Sequence, residues 1–241
     1  MIRTVFILLY VLPATAVFAI IAIIASLFSR TGNSVHIVAR IWSKSILFVS
    51  GIKVDIEGLA NIEQSKSYIY MSNHRSNFDI PVLLGCLPIQ FRWLAKAELF
   101  KIPIFGRAMS GAGYVKIDRF NRESAFKSID EVAAKMRNGV SVMIFPEGTR
   151  SEDGNIKSFK KGGFVMAVDS GAPIVPVILR GTRSIMSKGS WRIKRGNVSL
   201  SIEKPIDTTG YTRDTKDDLI KNVRSVICEV FEKGTKFDTS A

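Results

Sequence analysis

Residues 4–28 carry no charged side chain, and no other stretch limits the folding of this chain as strongly. As a helix rising 1.5 Å per residue the run extends about 37 Å, more than the roughly 30 Å hydrocarbon core of a bilayer. A cleaved signal peptide is the competing reading, but the run exceeds the usual apolar core of such peptides and no small-x-small cleavage pattern follows it. Arg30-Thr31-Gly32-Asn33 then reads as a turn and 34–50 as a second helix. At helical spacing Val38, Ile41, Trp42, Ser45, Phe48 and Val49 share one face; His36, Arg40 and Lys44 share the other. The pattern predicts an interfacial amphipathic helix, with Trp42 at the headgroup level and His36 on a solvated face. Two arrangements fit: a spanning helix followed by an interfacial one, or a hairpin that enters and leaves one leaflet. Arg30, Arg40, Lys44 and Lys53 follow the apolar run and only Arg3 precedes it, which predicts a body on the cytoplasmic side, at the inner membrane in a bacterium. Residues 1–50 are therefore expected to anchor the chain to a membrane, and 51–241 to form an α/β domain.

The body alternates short apolar runs with helical patterns. Strands are expected at 52–56, 67–71, 91–95, 114–117, 141–145, 174–179 and 198–203, and helices at 80–87, 102–110, 122–137, 162–170 and 215–232. Ala125, Ile129, Val132, Ala133 and Met136 recur at helical spacing, and Gly139 follows as a stop. Strands apolar along their whole length predict a mostly parallel or mixed sheet flanked by helices. Pro176, inside such a strand, suggests a bulge or a sheet edge. Sites in these sheets gather at the carboxyl ends of strands. His74, Arg119, Glu147 and Arg180 each follow a predicted strand, so one rim is expected to carry all four.

Three segments carry chemistry. In Asn73-His74-Arg75-Ser76-Asn77-Phe78-Asp79, an imidazole leaves an apolar strand with a carboxylate five positions on. His74 suits a general base, and Asp79 suits the group that fixes its tautomer and stabilises the imidazolium. The plainer reading is a loop histidine beside a helix-capping aspartate. In Phe145-Pro146-Glu147-Gly148-Thr149-Arg150-Ser151, a buried strand stops at a proline, and a glycine allows a tight loop with exposed amides. An arginine beside free amides suits a phosphate; an ordinary surface ion pair is the alternative. In Gly113-Tyr114-Val115-Lys116-Ile117-Asp118-Arg119, Arg119 stands at a strand exit, open to the same two readings.

The net charge of +13 calls for an anionic partner. Ten basic residues between 150 and 195 face three acidic ones. With the apolar run, this fits the anionic leaflet of a membrane. Nucleic acid is not expected, since no recognition motif or aromatic stacking set accompanies the charge. Cys86 and Cys228 have no metal-ligand spacing and suggest no disulfide framework. No Gly-x-Ser-x-Gly elbow is present, which argues against a hydrolase of that kind.

Together with Val175-Pro176-Val177-Ile178, and in this order, the three segments resemble the glycerolipid acyltransferases, in particular the 1-acylglycerol-3-phosphate acyltransferases. The resemblance covers roughly residues 50–210. It implies transfer of a fatty acyl group from acyl-CoA or acyl carrier protein to lysophosphatidate. His74 and Asp79 fall on the family's base and orienting acid. Arg119, Glu147, Gly148, Thr149 and Arg150 fall on acceptor-binding positions, and Lys160 lies in a Phe-Lys-x-Gly-like run. No cofactor and no metal is implied. The two N-terminal helices look like the membrane-dipping hairpin of some members. Another lysophospholipid or an acyl-amino-acid lipid as acceptor is the nearest alternative, and a non-catalytic lipid-binding protein is one of another class.

Overall fold

Three strands are buried at every residue, and they lie side by side: β2 (Ile69–Ser72), β5 (Val142–Ile144) and β6 (Ile174–Arg180). The computed structural model describes residues 1–118, 122–137 and 139–234. The other strands are β1 (Ile52–Glu57), β3 (Arg92–Lys96), β4 (Val115–Ile117) and β7 (Gly196–Ile202). Among the described residues the seven strands form one sheet in the order β1-β7-β6-β2-β5-β3-β4. Every neighbouring pair is parallel except β6 and β7, so the sheet is mixed. β2, β3, β4, β5 and β6 therefore end on one rim.

Helices cover both faces. They are α1 (Ile2–Leu27), α2 (Asn33–Val49), α3 (Asp79–Cys86), α4 (Phe105–Gly111), α5 (Arg122–Arg137), α6 (Gly162–Ser170), α7 (Thr182–Ile185) and α8 (Lys216–Lys233). Because side chains alternate across a strand, each central strand feeds two cores. Tyr70, Met143, Val175, Val177 and Leu179 pack with Leu47 of α2 and Leu83 of α3. Ile69, Met71, Ile144 and Ile178 pack with Val132 of α5, Phe164 of α6 and Val223 of α8. The mixed sheet and flanking helices agree with the sequence reading. Of the bulge or edge expected at Pro176, the edge is corrected: Pro176 is in an interior strand, and its register with β2 runs unbroken from Ile69 and Ile174 to Ser72 and Val177. It stands one residue before the ladder with β7 begins at Val177, and its carbonyl accepts from the Glu203 amide at 2.9 Å.

The N-terminal helices lie along the body instead of standing away from it. Near the start of α1, Thr4 Oγ1 accepts from the Ile193 amide at 3.1 Å, and the Arg3 guanidinium donates to the Ser50 carbonyl. Near its end, α1 touches α4 so closely that a Cβ on Gly111 would lie 2.7 Å from Ser26 Cβ. Both ends of α1 are thus fastened to the body. Its outer face, including Phe6, Leu9, Leu12, Ile20 and Ile24, is exposed and apolar.

The second helix departs from the expectation at His36 and Arg40, whereas its expected apolar face keeps Ile41, Phe48 and Val49 outward. Ile41 and Phe48 of α2 are exposed, the latter by 85 %, together with Ile37. His36 is fully buried, against Tyr114 and Phe91, and the Arg40 guanidinium donates to the Ile89 carbonyl. Trp42 does not sit free at an outer rim; its indole N–H donates to Thr15 Oγ1 of α1 at 3.1 Å. α2 thus turns His36 and Arg40 inward and leaves Ile37, Ile41 and Phe48 outward, while Val35, Ile46 and Leu47 are buried and Lys44 is exposed.

Candidate active site

The rim formed by the ends of β2, β5 and β6 carries the site. Asn73, just past β2, is wholly buried and bridges to β6: its amide donates to the Leu179 carbonyl, and its side-chain oxygen accepts from the Leu179 amide, both at 2.8 Å. This double bond pair replaces ladder bonds where the strand ends and fixes where the next residue, His74, emerges. His74 Nδ1 lies 2.8 Å from Asp79 Oδ2. The same oxygen accepts from the Arg75 and Ser76 amides at 2.7 and 2.8 Å. Asp79, the first residue of α3, thus caps the loop before it and cannot swing away. A carboxylate oxygen only accepts, so Nδ1 carries the proton and Nε2 is left with its lone pair. The imidazole stacks on Phe145 with centroids 3.8 Å apart and planes at 8°, and Phe145 stacks in turn near Trp93. Ring position and tautomer are both fixed.

Glu147, after β5, is buried to 1 % exposure. Oε1 accepts from the His74 amide at 2.7 Å, and Oε2 accepts from the Lys157 amide at 2.8 Å. Burial pushes its carboxyl up from the ordinary range, and the two amides pull the other way. The Ser151 amide donates back to the His74 carbonyl at 2.9 Å. Loop 145–151 and the His74 loop are therefore stitched together from both sides. Gly148 takes φ 77°, a left-handed conformation that a side chain would strain, and so lets the chain double back at the rim.

A cavity of about 720 Å³ opens beside His74. Gly148, Thr149, Arg150 and Lys188 line its polar part. Its remaining wall is largely apolar, with Ala19 and Ala22 from α1, Val35 and Trp42 from α2, Leu84 from α3 and Met109 from α4. The N-terminal helices and the sheet thus share one chamber. It joins an oriented imidazole to a cationic loop at one end and a lipid-like lining at the other.

Of the residues singled out in the sequence, His74, Asp79, Glu147, Gly148, Thr149 and Arg150 come together. Thr149 and Arg150 reach the cavity, whereas the carboxylate of Glu147 is spent on backbone amides. Lys160 is exposed and not among the cavity-lining residues; its amide donates to the Pro146 carbonyl at 2.8 Å. Arg119 lies outside the described residues. Arg180 is at the same rim but faces α8, donating to the Phe231 and Val230 carbonyls and to Ser199 and Ser201. It supports the last turn of that helix. Sequence reasoning gave no role to Asn73, Phe145, Trp93 or Lys188. Asn73 and Phe145 stand inside the segments singled out above, but like Trp93 and Lys188 they have their partners far away in the chain, so the segment alone assigns them no role.

The acyltransferase family profile matches residues 53–180. The chain is 41 % identical over 197 residues to the chloroplastic 1-acyl-sn-glycerol-3-phosphate acyltransferase LPAT1 of Arabidopsis thaliana, covering 80 % of this chain and 53 % of that one. It is 32 % identical to the human 1-acyl-sn-glycerol-3-phosphate acyltransferase alpha, over 81 % of this chain and 69 % of the relative. This chain spans about half the length of the two chloroplastic relatives it matches. The crystal structure of the 1-acyl-sn-glycerophosphate acyltransferase PlsC from Thermotoga maritima superposes with a TM-score of 0.83 at 28 % identity, over 98 % of this chain and 95 % of that one.

Proposed function

Because this chain belongs to the acyltransferase family, we propose that it moves a fatty acyl group from acyl-CoA or acyl carrier protein to the sn-2 hydroxyl of lysophosphatidate, giving phosphatidate. One observation carries the reading. His74, held by Asp79, faces a chamber with a cationic loop at one end and the apolar walls of α1 and α2 along the rest.

His74 Nε2 takes the hydroxyl proton as the acceptor oxygen attacks the thioester carbonyl. The carbon–sulfur bond then breaks, and the departing thiolate takes the proton from the imidazolium. Asp79 holds the ring and stabilises the imidazolium while it exists. General-base assistance of this kind contributes roughly 10²–10⁴ in rate. The acceptor hydroxyl is the nucleophile, so no acyl-enzyme forms. Arg150 offers a planar fork of donors to the acceptor phosphate, beside the loop at Gly148. Glu147 holds the base in register instead of touching the acceptor. Arg119, by its place in the motif, joins the acceptor side, and Lys160 adds charge outside the chamber.

The exposed aliphatic face of α1 and α2 supports membrane association. With both ends of α1 fastened to the body, the pair enters one leaflet and leaves by the same side, and the excess of basic residues after the apolar run favours the cytoplasmic face. The anionic leaflet is then both anchor and source of acceptor.

The purified chain incubated with labelled acyl-CoA or acyl carrier protein and lysophosphatidate should yield phosphatidate, identified by mass, with no label on the protein. Acylation confined to a different lysolipid in an acceptor panel would replace the assignment of substrate. Label retained covalently by the protein would replace the mechanism.

A further inference from the structure

Ser76 donates its amide to Asp79, and its hydroxyl donates to the Met186 carbonyl at 2.7 Å. Ser76 also forms an isolated antiparallel bridge with Ser187. The segment after α7 is thus fastened to the loop that holds the catalytic pair. The next residue, Lys188, is presented to the cavity that His74 and Arg150 line. Its ammonium lies 2.5 Å from Glu152 Oε1, and Glu152 is two residues beyond Arg150. Arg183 donates to the Glu152 carbonyl at 3.1 Å, and Lys157 Nζ donates to the Arg150 carbonyl at 3.3 Å. Lys188 therefore stands at the Arg150 end of the chamber, not at the apolar end.

We propose that Lys188 is a further acceptor-binding cation beside Arg150, that it selects a phosphomonoester headgroup, and that Glu152 is its counter-ion until the acceptor arrives. The proposal rests on the acyltransferase reading given above. A phosphomonoester carries about −1.5 to −2 charges near neutrality, so Arg150 alone leaves it only partly balanced, and of the two lysines that line the cavity, Lys96 and Lys188, it is Lys188 whose ion pair ties it to the Arg150 loop. A phosphodiester carries a single charge and needs no second partner. Arginine supplies the planar fork; lysine supplies a compact charge on a flexible stem that can change partners. Glu152 is 73 % exposed and Lys188 only 27 %, so the carboxylate returns to water when the ammonium moves to the phosphate. An ion pair with one such exposed member is weak enough to exchange. The Lys188 hydrogen bond, followed by the charges of Lys188 and Lys157, holds the Glu152 carboxyl below its ordinary range, so the counter-ion is charged at neutral pH.

Steady-state kinetics of the full chain in mixed micelles test this with Lys188→Gln, Glu152→Gln and Arg150→Gln. Lys188→Gln should raise the lysophosphatidate KM about ten-fold, the loss of one charge-assisted hydrogen bond, with kcat nearly kept. Its effect on a lysophosphodiester, measured as substrate or competitive inhibitor, should be much smaller. Glu152→Gln should lower the lysophosphatidate KM roughly two- to five-fold by removing the competing carboxylate. An unchanged KM in Lys188→Gln, where Arg150→Gln raises it, overturns the proposal and leaves the function standing. An equal rise for monoester and diester overturns the selectivity and points to general surface charge. A wild-type chain that never acylates lysophosphatidate removes the acyltransferase reading and this proposal together.

Discussion

The chain has two histidines, and the regions around them are built from opposite parts. At the end of β2, His74 meets a carboxylate, stacks on Phe145 and keeps one nitrogen toward an open chamber. At the junction of α2 with β3 and β4, His36 is sealed from solvent, with Nδ1 3.2 Å from the Tyr114 hydroxyl and its ring edge-on to Phe91. Its charged neighbours are Arg92 and Arg40, and burial first, then these cations, lower its pKa to about 3. An imidazole beside a carboxylate can take a proton at little cost, whereas one between guanidinium groups stays neutral. The difference lies in the sign of the neighbours, not in the ring. One region is arranged for proton transfer and the other for holding α2 to the sheet.

The largest effect should follow from removing what makes the first region distinct. His74→Ala should lower kcat by about 10²–10⁴ with the thermal transition and vesicle binding intact. Asp79→Asn leaves a ring of similar placement without its ionic partner, and should also cost orders of magnitude in kcat. Activity near wild type in a folded His74→Ala protein would make the two histidines equivalent and end the comparison. A smaller effect belongs to Glu147→Gln. The amide of glutamine can accept from one of the two backbone N–H groups but turns its own N–H₂ toward the other. With a 1 % exposed group, that mismatch should cost about 1–3 kcal/mol of stability by calorimetry and displace the base. It should therefore lower kcat with little change in acceptor KM; a rise in KM alone would mean that Glu147 touches the acceptor.

The same contrast shows what could be read before folding. His74 and Asp79 lie within one loop, so their partnership was legible from spacing and motif. α5 and α6 fall where periodicity put them, because their apolar stripes face a protein core and α6 ends at Gly171 with φ 66°. α8 follows the same rule, burying Leu219, Val223 and Ile227. α2 follows it only in part, since its apolar residues Ile41 and Phe48 stay outward as an interfacial helix requires, but His36 and Arg40 leave the expected polar face for the interior. Here the outer medium suits Ile41 and Phe48, and the inner face must satisfy His36, Arg40 and the carbonyl groups near them. α4 begins at Phe105, three residues later than expected, because Ile104 takes φ 63°, an uncommon conformation for a β-branched residue that no local pattern announces. Asn73 with Leu179, and Lys188 with Glu152, are contacts across the chain. They depend on sheet order, which apolar runs alone do not specify.

The smallest effect concerns the second region, and it appears in acid. His36 has a folded-state pKa of about 3 against about 6.5 in an unfolded chain. Between these values the unfolded chain holds the extra proton, so stability is fully present above pH 6.5 and falls as pH falls toward 3. Lowering the pH from 7 to 5 should remove about 2 kcal/mol through this one residue. The charged groups facing it, Arg40 and Arg92, stay protonated over that range. The Tyr114 phenol stays neutral, since burial pushes its pKa up. His36→Gln keeps a polar group near the Tyr114 hydroxyl and has no proton to gain. Its stability should therefore fall less between pH 7 and 5 than that of the wild type, with acyl transfer at pH 7 within a few-fold. Parallel pH–stability curves for the two proteins would mean that protonating His36 costs the fold nothing, and that the cationic setting of this region has no hold on its imidazole.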